Sequence, residues 1–362
     1  MSRFTIKPLL VIGAIAMVLT ACGGGNDKPP PSTVKKTTTT TAPPVAPLTG
    51  IIRDDDSLNN HPALVVKIDN TPKALGKQAG INAADIVYVE QVEGGATRMA
   101  AVFHSTDADA VGPVRSARTS DYDIIKNLNR PLFAYSGANS GVDAGINASP
   151  LVNVGVTKKQ NAYSKRGSGV LRFFASTKDL YEGETGTAPG PLFTFRPEGT
   201  PVSSTTAEAS AGVNISYGGS SNTSVNWTPD GDRWLRTQSG KAHVDDGGNR
   251  VNPNNVIVQF VEYRSSGYVD VSGSPSPEAV LVGTGEVWVF SDGKLVRGTW
   301  TRPNPESITT LTDAAGKPIT LAPGRTWIEL APIGSAAAIS APTTTSSTPA
   351  TPSTRVTTTK KP

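Results

Sequence analysis

Short apolar runs, separated by Gly, Pro, Asn and Asp, recur from Leu48 to Ile333 and predict strands joined by tight turns. Two runs of the first half flank the pair Gly94-Gly95, which suits a hairpin turn. A helix is predicted at Asp121–Asn129, because its apolar residues form one face and Pro131 ends it. The apolar runs of this half are Ala63–Ile68, Ile86–Val92, Arg98–Phe103 and Leu132–Tyr135. The first half is therefore predicted to mix α and β structure.

From about Pro201 onward the pattern becomes almost wholly strand-like. The turns Pro229-Asp230-Gly231 and Ser291-Asp292-Gly293 each separate two apolar runs, and Val256–Tyr263 is predicted to be a central strand. All five tryptophans lie in this half, at Trp227, Trp234, Trp288, Trp300 and Trp327. They either fill the core of a β domain or form an exposed platform for sugar rings. Their positions inside apolar runs favour the core.

These patterns predict an α+β fold in two domains. A mixed α/β N-terminal domain is expected at residues 48–200, and a smaller, β-rich C-terminal domain at residues 201–333. The flanking segments have a different composition, rich in Thr, Pro and Ser. Such segments cannot bury a core. Residues 22–47 are therefore expected to be a disordered tether, and residues 334–362 a disordered tail.

The N-terminus has the pattern of a lipoprotein signal peptide at residues 1–21. Arg3 and Lys7 are followed by the apolar stretch Pro8–Val18, which is too short to span a bilayer. The run Leu19-Thr20-Ala21-Cys22 resembles a bacterial lipobox, in which the cysteine becomes the acylated first residue. The alternative is an ordinary signal peptide with a chance cysteine. The lipobox interpretation predicts a palmitate-bearing Cys22 that holds the chain on the extracytoplasmic face of the cell membrane.

Charge argues against a nucleic-acid partner. The 34 basic and 30 acidic residues give a net charge of +4. Eight of the basic residues and one acidic residue lie in the leader and tails, so the region between them has a net charge near −3. No strongly basic face for DNA or RNA is indicated.

Cysteine and histidine are too scarce for most metal chemistry. Cys22 is the single cysteine, and the three histidines are far apart in sequence. No catalytic metal site and no cofactor is therefore expected, although carboxylates could hold Ca²⁺. His104 and Ser105 are adjacent, but neighbouring residues of a strand point to opposite faces, which argues against a Ser–His pair. No catalytic residue can be assigned from the sequence.

Several motifs resemble the YerB-like bacterial lipoproteins of domain-of-unknown-function family 3048. The likeness covers nearly all of Leu48–Pro332, and its most specific run is Gly112-Pro113-Val114-Arg115-Ser116-Ala117-Arg118. Other matching runs are Val66–Asn70, Ala84–Tyr88, Val92–Gly95, Ala101–Ser105, Leu132–Gly137, Val251–Val256 and Gly298–Trp300. The segment Gly169–Ala175 departs from the family pattern. The resemblance implies a lipoprotein with an N-terminal and a smaller C-terminal domain, and it implies no established reaction.

The best candidate site is a group of three arginines with nearby polar residues. Arginine binds phosphate or carboxylate through two parallel hydrogen bonds. The proposed binding residues are Asp69, Asn70, Glu90, Arg98, Arg115 and Arg118. Because Arg115 and Arg118 are three apart, a bend between them is needed for all three arginines to meet. The alternative is internal ion pairing, of Arg98 with Glu90 or Glu93 and of Arg118 with Asp121 or Asp123.

The sequence thus predicts an envelope lipoprotein that binds an anionic ligand, a cell-wall polymer or another envelope protein. One alternative is an enzyme acting on a phosphorylated envelope precursor through the arginines. A third is a purely structural adaptor.

Overall fold

A computed structural model describes residues 43–342, and its N-terminal half combines strands with three α-helices. The strands are β1 Leu64–Asp69, β2 Ile86–Gln91, β3 Thr97–Phe103, β4 Leu132–Ala134, β5 Val152–Asn153, β6 Tyr163–Lys165 and β7 Phe173–Ala175. The helices are α1 Ser120–Lys126, α2 Ser140–Ala148 and α3 Thr177–Tyr181. The hairpin predicted around Gly94-Gly95 is confirmed by the antiparallel pairing of β2 with β3. The predicted helix is α1, which is shorter than expected.

The C-terminal half is built from strands. They are β8 Glu208–Ser216, β9 Ser224–Asp230, β10 Arg233–Gln238, β11 Lys241–Ala242, β12 Asn255–Val261, β13 Tyr263–Val269, β14 Pro275–Ala279, β15 Gly283–Ser291, β16 Lys294–Arg302, β17 Thr310–Asp313, β18 Thr326–Pro332 and β19 Ala336–Ser340. Asp292 and Gly293 have φ of 47° and 67°, the conformation of a tight hairpin turn, and they join β15 to β16 as predicted. The few short helices beside so many strands agree with an α+β class.

Strands of both halves belong to one long sheet. Its order is β11-β10-β9-β8-β16-β15-β12-β18-β2-β3-β1-β4-β5, with β17 beside β16 and β19 beside β8. The halves join where β18 runs parallel to β2, with Thr326 opposite Ile86 and Glu329 opposite Val89. Sheet hydrogen bonds therefore continue across the predicted domain boundary at residue 200.

The central strands are buried on both faces. One face of β1, β2 and β3 packs with the tryptophans of β9 and β10, and the opposite face packs with α1 and α2. All five tryptophans are at most 8% exposed. The core interpretation of the tryptophans is therefore confirmed.

Ordered chain extends beyond both predicted limits of the globular region. Val45 pairs with Ile52 and Ala46 is buried, although both were assigned to the tether. At the other end, β19 pairs with β8 inside the predicted tail. Apolar contacts and strand pairing order these residues despite their small side chains. The leader, Cys22 and most of the tether and tail lie outside residues 43–342.

Among the helices that the structure describes, none combines the length and apolar character needed to cross a membrane.

Candidate functional site

Three predicted site residues form one row across the sheet. Asp69 of β1 lies opposite Arg98 of β3, which in turn lies opposite Glu90 of β2. Directly opposed residues point to the same face of a sheet. This is the face that carries α1 and α2. The antiparallel register thus brings residues from three strands together at one end of the sheet.

The other two arginines come from the irregular segment between β3 and α1. Backbone bonds from Asp69 N to Pro113 O (2.9 Å) and from Arg115 N to Lys67 O (2.8 Å) hold this segment along β1. The chain then turns, and Asp121 N donates to Arg118 O at 3.1 Å where α1 begins. The predicted bend between Arg115 and Arg118 therefore exists. Arg98 Nη1 reaches across to Ser116 O at 2.9 Å.

The three guanidinium groups differ in how they are neutralised. Arg115 Nε contacts Asp69 Oδ2 at 2.7 Å. Arg118 forms a bidentate pair with Glu93, with Nε and Nη2 at 2.7 and 2.8 Å from the two carboxylate oxygens. Within residues 43–342, Arg98 has no carboxylate within ion-pair distance. Ion pairs therefore hold Arg115 and Arg118, whereas Arg98 has none within residues 43–342.

Arg98 is the arginine of this group whose charge is least compensated. Its side chain is buried, and its Nε–H has no partner among the described residues. Burial, with repulsion from Arg118 and Arg115, lowers the pKa of Arg98 to about 10. The guanidinium remains charged at neutral pH. A buried cation with an unpaired donor is costly and would be stabilised by an anion.

All three arginines line one open cleft of about 530 Å³. The start of α2 and the β13–β14 hairpin form its walls, and the loop between β6 and β7 reaches its rim at Val170. Arg115 is the most accessible of the three, with a side chain 20% exposed. Its Nη1 and Nη2 make no hydrogen bond to any residue that the structure describes. The geometry can therefore accept an oxyanion on Arg115 and Arg98.

Three predicted site residues do not line the cleft: Asp69, which is buried behind Arg115, Glu90 and Asn70. Glu90 was expected to neutralise the arginines, but it is fully buried and pairs with Lys67 Nζ, which also contacts Asp121 Oδ1 at 2.8 Å. Asn70 is also fully buried, and its amide donates to Thr97 Oγ1 at 2.8 Å. Glu93 takes the place expected of Glu90, because its position past the end of β2 faces Arg118. Lys67 was not singled out from the sequence as the partner of Glu90. The signal was available, because Lys67 is the single charged residue in the apolar run Ala63–Ile68.

A second polar network lies on the opposite face and includes no arginine of the cleft. Glu329 of β18 accepts hydrogen bonds from Arg236 Nε and Trp227 Nε1, each at 3.0 Å, and from Tyr217 Oη at 2.7 Å. Arg236 Nη1 lies 2.9 Å from His243 Nδ1. Burial, with repulsion from Arg236, holds the pKa of His243 well below its ordinary value, so the ring is neutral. This network joins β9, β10 and Tyr217, the residue that follows β8, to β18.

A larger cleft of about 840 Å³ lies at the sheet edge where β2, β12 and β18 begin. Arg325 there donates to the backbone and side-chain oxygens of Asn82 and Asn252 at 2.6–3.1 Å. Asp85 accepts hydrogen bonds from Ser105, and burial raises the pKa of Asp85 to about 6. Sequence reasoning did not single out Arg325. Arg325 is held by these neutral partners, and the cleft is also lined by Arg196, Arg233 and Lys294.

Both halves of the chain are similar to known proteins. Residues 48–188 match a family described as "Protein of unknown function (DUF3048) N-terminal domain", and residues 213–328 match its C-terminal domain. A Bacillus subtilis (strain 168) protein named "Putative lipoprotein YerB" is 28% identical over 310 residues, covering 82% of this chain and 88% of that protein. A crystal structure of the YerB protein from Bacillus subtilis has a TM-score of 0.69 at 21% identity. The structural match covers 81% of this chain and 99% of the YerB chain in that crystal structure, and it supports the fold.

Proposed function

The chain belongs to the YerB-like DUF3048 family, and on this basis we propose that it is a lipoprotein with an anion-binding cleft. Cys22 would carry the lipid and hold the protein at the extracytoplasmic face of the cell membrane. The cleft would bind an anionic group on a cell-wall polymer, another envelope component or a small ligand.

The anchor is supported by two independent observations. A relative that is 28% identical carries the word lipoprotein in its name. In this chain, Leu19-Thr20-Ala21-Cys22 supplies the small residues and the thiol that lipidation requires. Several acyl chains on one residue would give stable attachment.

The anion-binding role rests on arginine nitrogens in the cleft that have no hydrogen-bond partner among the described residues. Arg98 is buried, has no carboxylate partner among residues 43–342, and is repelled by two neighbouring arginines. Arg115 adds two amino nitrogens without partners in the described chain. An oxyanion placed between them would receive charge-assisted hydrogen bonds and relieve the repulsion. This arrangement favours binding over a purely structural role for the three arginines.

Cys22→Ser is expected to abolish membrane retention, because it removes the acceptor of the lipid. Membrane fractionation followed by detergent extraction measures the effect. Ser32→Ala, a change of similar size in the predicted tether, is the control and should leave retention unchanged. If Cys22→Ser still required detergent for release, the anchor proposal would be wrong.

Arg115→Ala is expected to weaken phosphate binding about ten- to hundred-fold, because charge-assisted hydrogen bonds contribute about 1.5–3 kcal/mol each. The measurement is calorimetric titration of inorganic phosphate into the full chain carrying Cys22→Ser, which we call the non-lipidated chain. Arg172→Ala is the control, since Arg172 is half-buried over the ring of Phe173 and does not line the cleft. Equal phosphate affinity in both variants, or no binding by the parent chain, would contradict the proposal.

A further inference from the structure

Exposed apolar side chains gather at the rim of the arginine cleft. Val170 is 61% exposed, and it lies on the loop between β6 and β7. Val269 and Val271, at the end of β13 and in the following turn, are 48% and 110% exposed. All three line the same cleft as the arginines, although they come from loops about 100 residues apart in sequence. A rim of this kind contributes free energy when a ligand removes it from water.

The cleft is therefore apolar at its rim and cationic at its floor. Ala138 and Val142 also line the cleft and add to its apolar surface. At the floor, Arg98 is buried and Arg115 presents unbonded amino nitrogens among the described residues. A ligand that satisfies both parts needs an anionic head and an apolar segment attached to it.

We propose that the arginine cleft binds an anionic amphiphile, a phosphate ester that carries an apolar chain. The phosphate contacts Arg98 and Arg115, and the chain lies along Val170, Val269 and Val271. This inference rests on the proposed anion-binding function and adds the chemical class of the ligand.

One carboxylate at the rim limits which ligands fit. Asp270 lies between the two valines of the β13–β14 hairpin and lines the cleft. Its Oδ1 accepts hydrogen bonds from Ser272 N, Ser272 Oγ and Ser274 N at 2.6–2.9 Å. These bonds lower the pKa of Asp270, so the carboxylate is ionised at neutral pH. It repels an anion held at the rim and favours a ligand whose phosphate reaches the arginines at the floor.

The decisive experiment compares three probes by calorimetric titration into the non-lipidated chain, each below its aggregation concentration. The probes are dihexanoyl phosphatidic acid, inorganic phosphate and dihexanoyl phosphatidylcholine, which has no net charge. We expect the phosphatidic acid to bind at least about ten-fold more tightly than phosphate, because its chains cover the valines. The phosphatidylcholine should bind at least about ten-fold more weakly than the phosphatidic acid, because its choline group offsets the phosphate charge.

Variants then separate the two parts of the cleft. Val170→Ser with Val271→Ser should weaken phosphatidic acid about ten-fold and leave phosphate unchanged. The matched control is Ile308→Ser with Ile333→Ser, which alters two other exposed apolar residues and should change neither affinity. Arg115→Ala should weaken both anionic probes.

The outcomes distinguish this inference from the function on which it rests. If phosphate binds but phosphatidic acid binds no more tightly, the amphiphile inference is wrong and the anion-binding function stands. If phosphatidylcholine matches phosphatidic acid, or the valine variant binds normally, the inference is also wrong. If none of the probes binds, both proposals fail.

Discussion

Glu329→Ala is expected to lower the free energy of unfolding by about 3–5 kcal/mol, because it leaves the buried Arg236 without its counter-charge. Arg236 and Glu329 are both fully buried, and their closest atoms are 3.0 Å apart. The same carboxylate accepts hydrogen bonds from Trp227 and Tyr217. In the variant, Trp227 Nε1 and Tyr217 Oη would therefore lose their hydrogen-bond acceptor as well. The measurement is urea unfolding of the non-lipidated chain, followed by tryptophan fluorescence.

A matched control is another Arg–Glu pair at the protein surface. Arg264 is 62% exposed and contacts Glu278 at 2.6 Å. Glu278→Ala should cost no more than about 1 kcal/mol, because water screens an exposed pair. Replacing both buried partners, as Glu329→Gln with Arg236→Met, should recover part of the loss, since no uncompensated charge then remains. A loss for Glu329→Ala as small as that for Glu278→Ala would show that the buried pair does not stabilise the fold.

Lys67→Met is expected to destabilise the protein by about 3–5 kcal/mol near pH 7.5, and by less as the pH falls. Lys67, Glu90 and Asp121 are all fully buried, so removing the cation leaves two adjacent carboxylates without compensation. Burial already raises the pKa of Asp121 above its ordinary value. Without Lys67 the folded-state pKa of Asp121 should rise further, because the charge of Lys67, which favours the ionised form of Asp121, is gone.

The sign of the pH dependence follows from proton uptake. A carboxyl group whose folded pKa exceeds its unfolded pKa binds its proton more tightly in the folded state. Its contribution to stability is therefore complete below the unfolded pKa and is lost as the pH rises through the folded pKa. The deficit of Lys67→Met should shrink by about 1.4 kcal/mol per pH unit for each additional proton bound.

Urea unfolding at about pH 7.5 and pH 5.5 tests this pH dependence, with two variants as references. Lys126→Met removes a half-exposed partner of Asp123, at 3.9 Å, and should cost less than about 1 kcal/mol at both pH values. Glu329→Ala should keep the same deficit, because it leaves a cation and adds no site for a proton. A pH-independent deficit for Lys67→Met would mean that Asp121 does not take up a proton over this pH range.

Local chemistry predicted much of the secondary structure. Gly94-Gly95 and Asp292-Gly293 both adopt positive φ in hairpin turns, as expected of turn residues between apolar runs. The tryptophans were assigned to the core because they lie inside apolar runs, and all are buried. The bend that brings Arg115 and Arg118 into one cleft was also anticipated, because a straight strand would separate them.

The partners of the charged residues could not be predicted in this way. Arg118 pairs with Glu93, 25 residues away, rather than with Asp121 or Asp123 close beside it in the chain. Glu90 of β2 pairs with Lys67 of β1 instead of with an arginine. These two strands lie on either side of β3, and both side chains point to the same buried face of the sheet. Arg236 and Glu329 are 93 residues apart and meet only because their strands lie in layers that pack together.

The sequence by itself therefore determined the turns, the apolar runs, the family and the group of arginines that share a cleft. Each of these depends on neighbouring residues or on a motif of a few positions. The tertiary structure decided that both halves share one sheet, which carboxylates neutralise which cations, and that Arg98 has no carboxylate partner within residues 43–342. An ion pair depends on the distance between strands and on burial. The pattern of apolar and polar residues along the chain specifies neither of these.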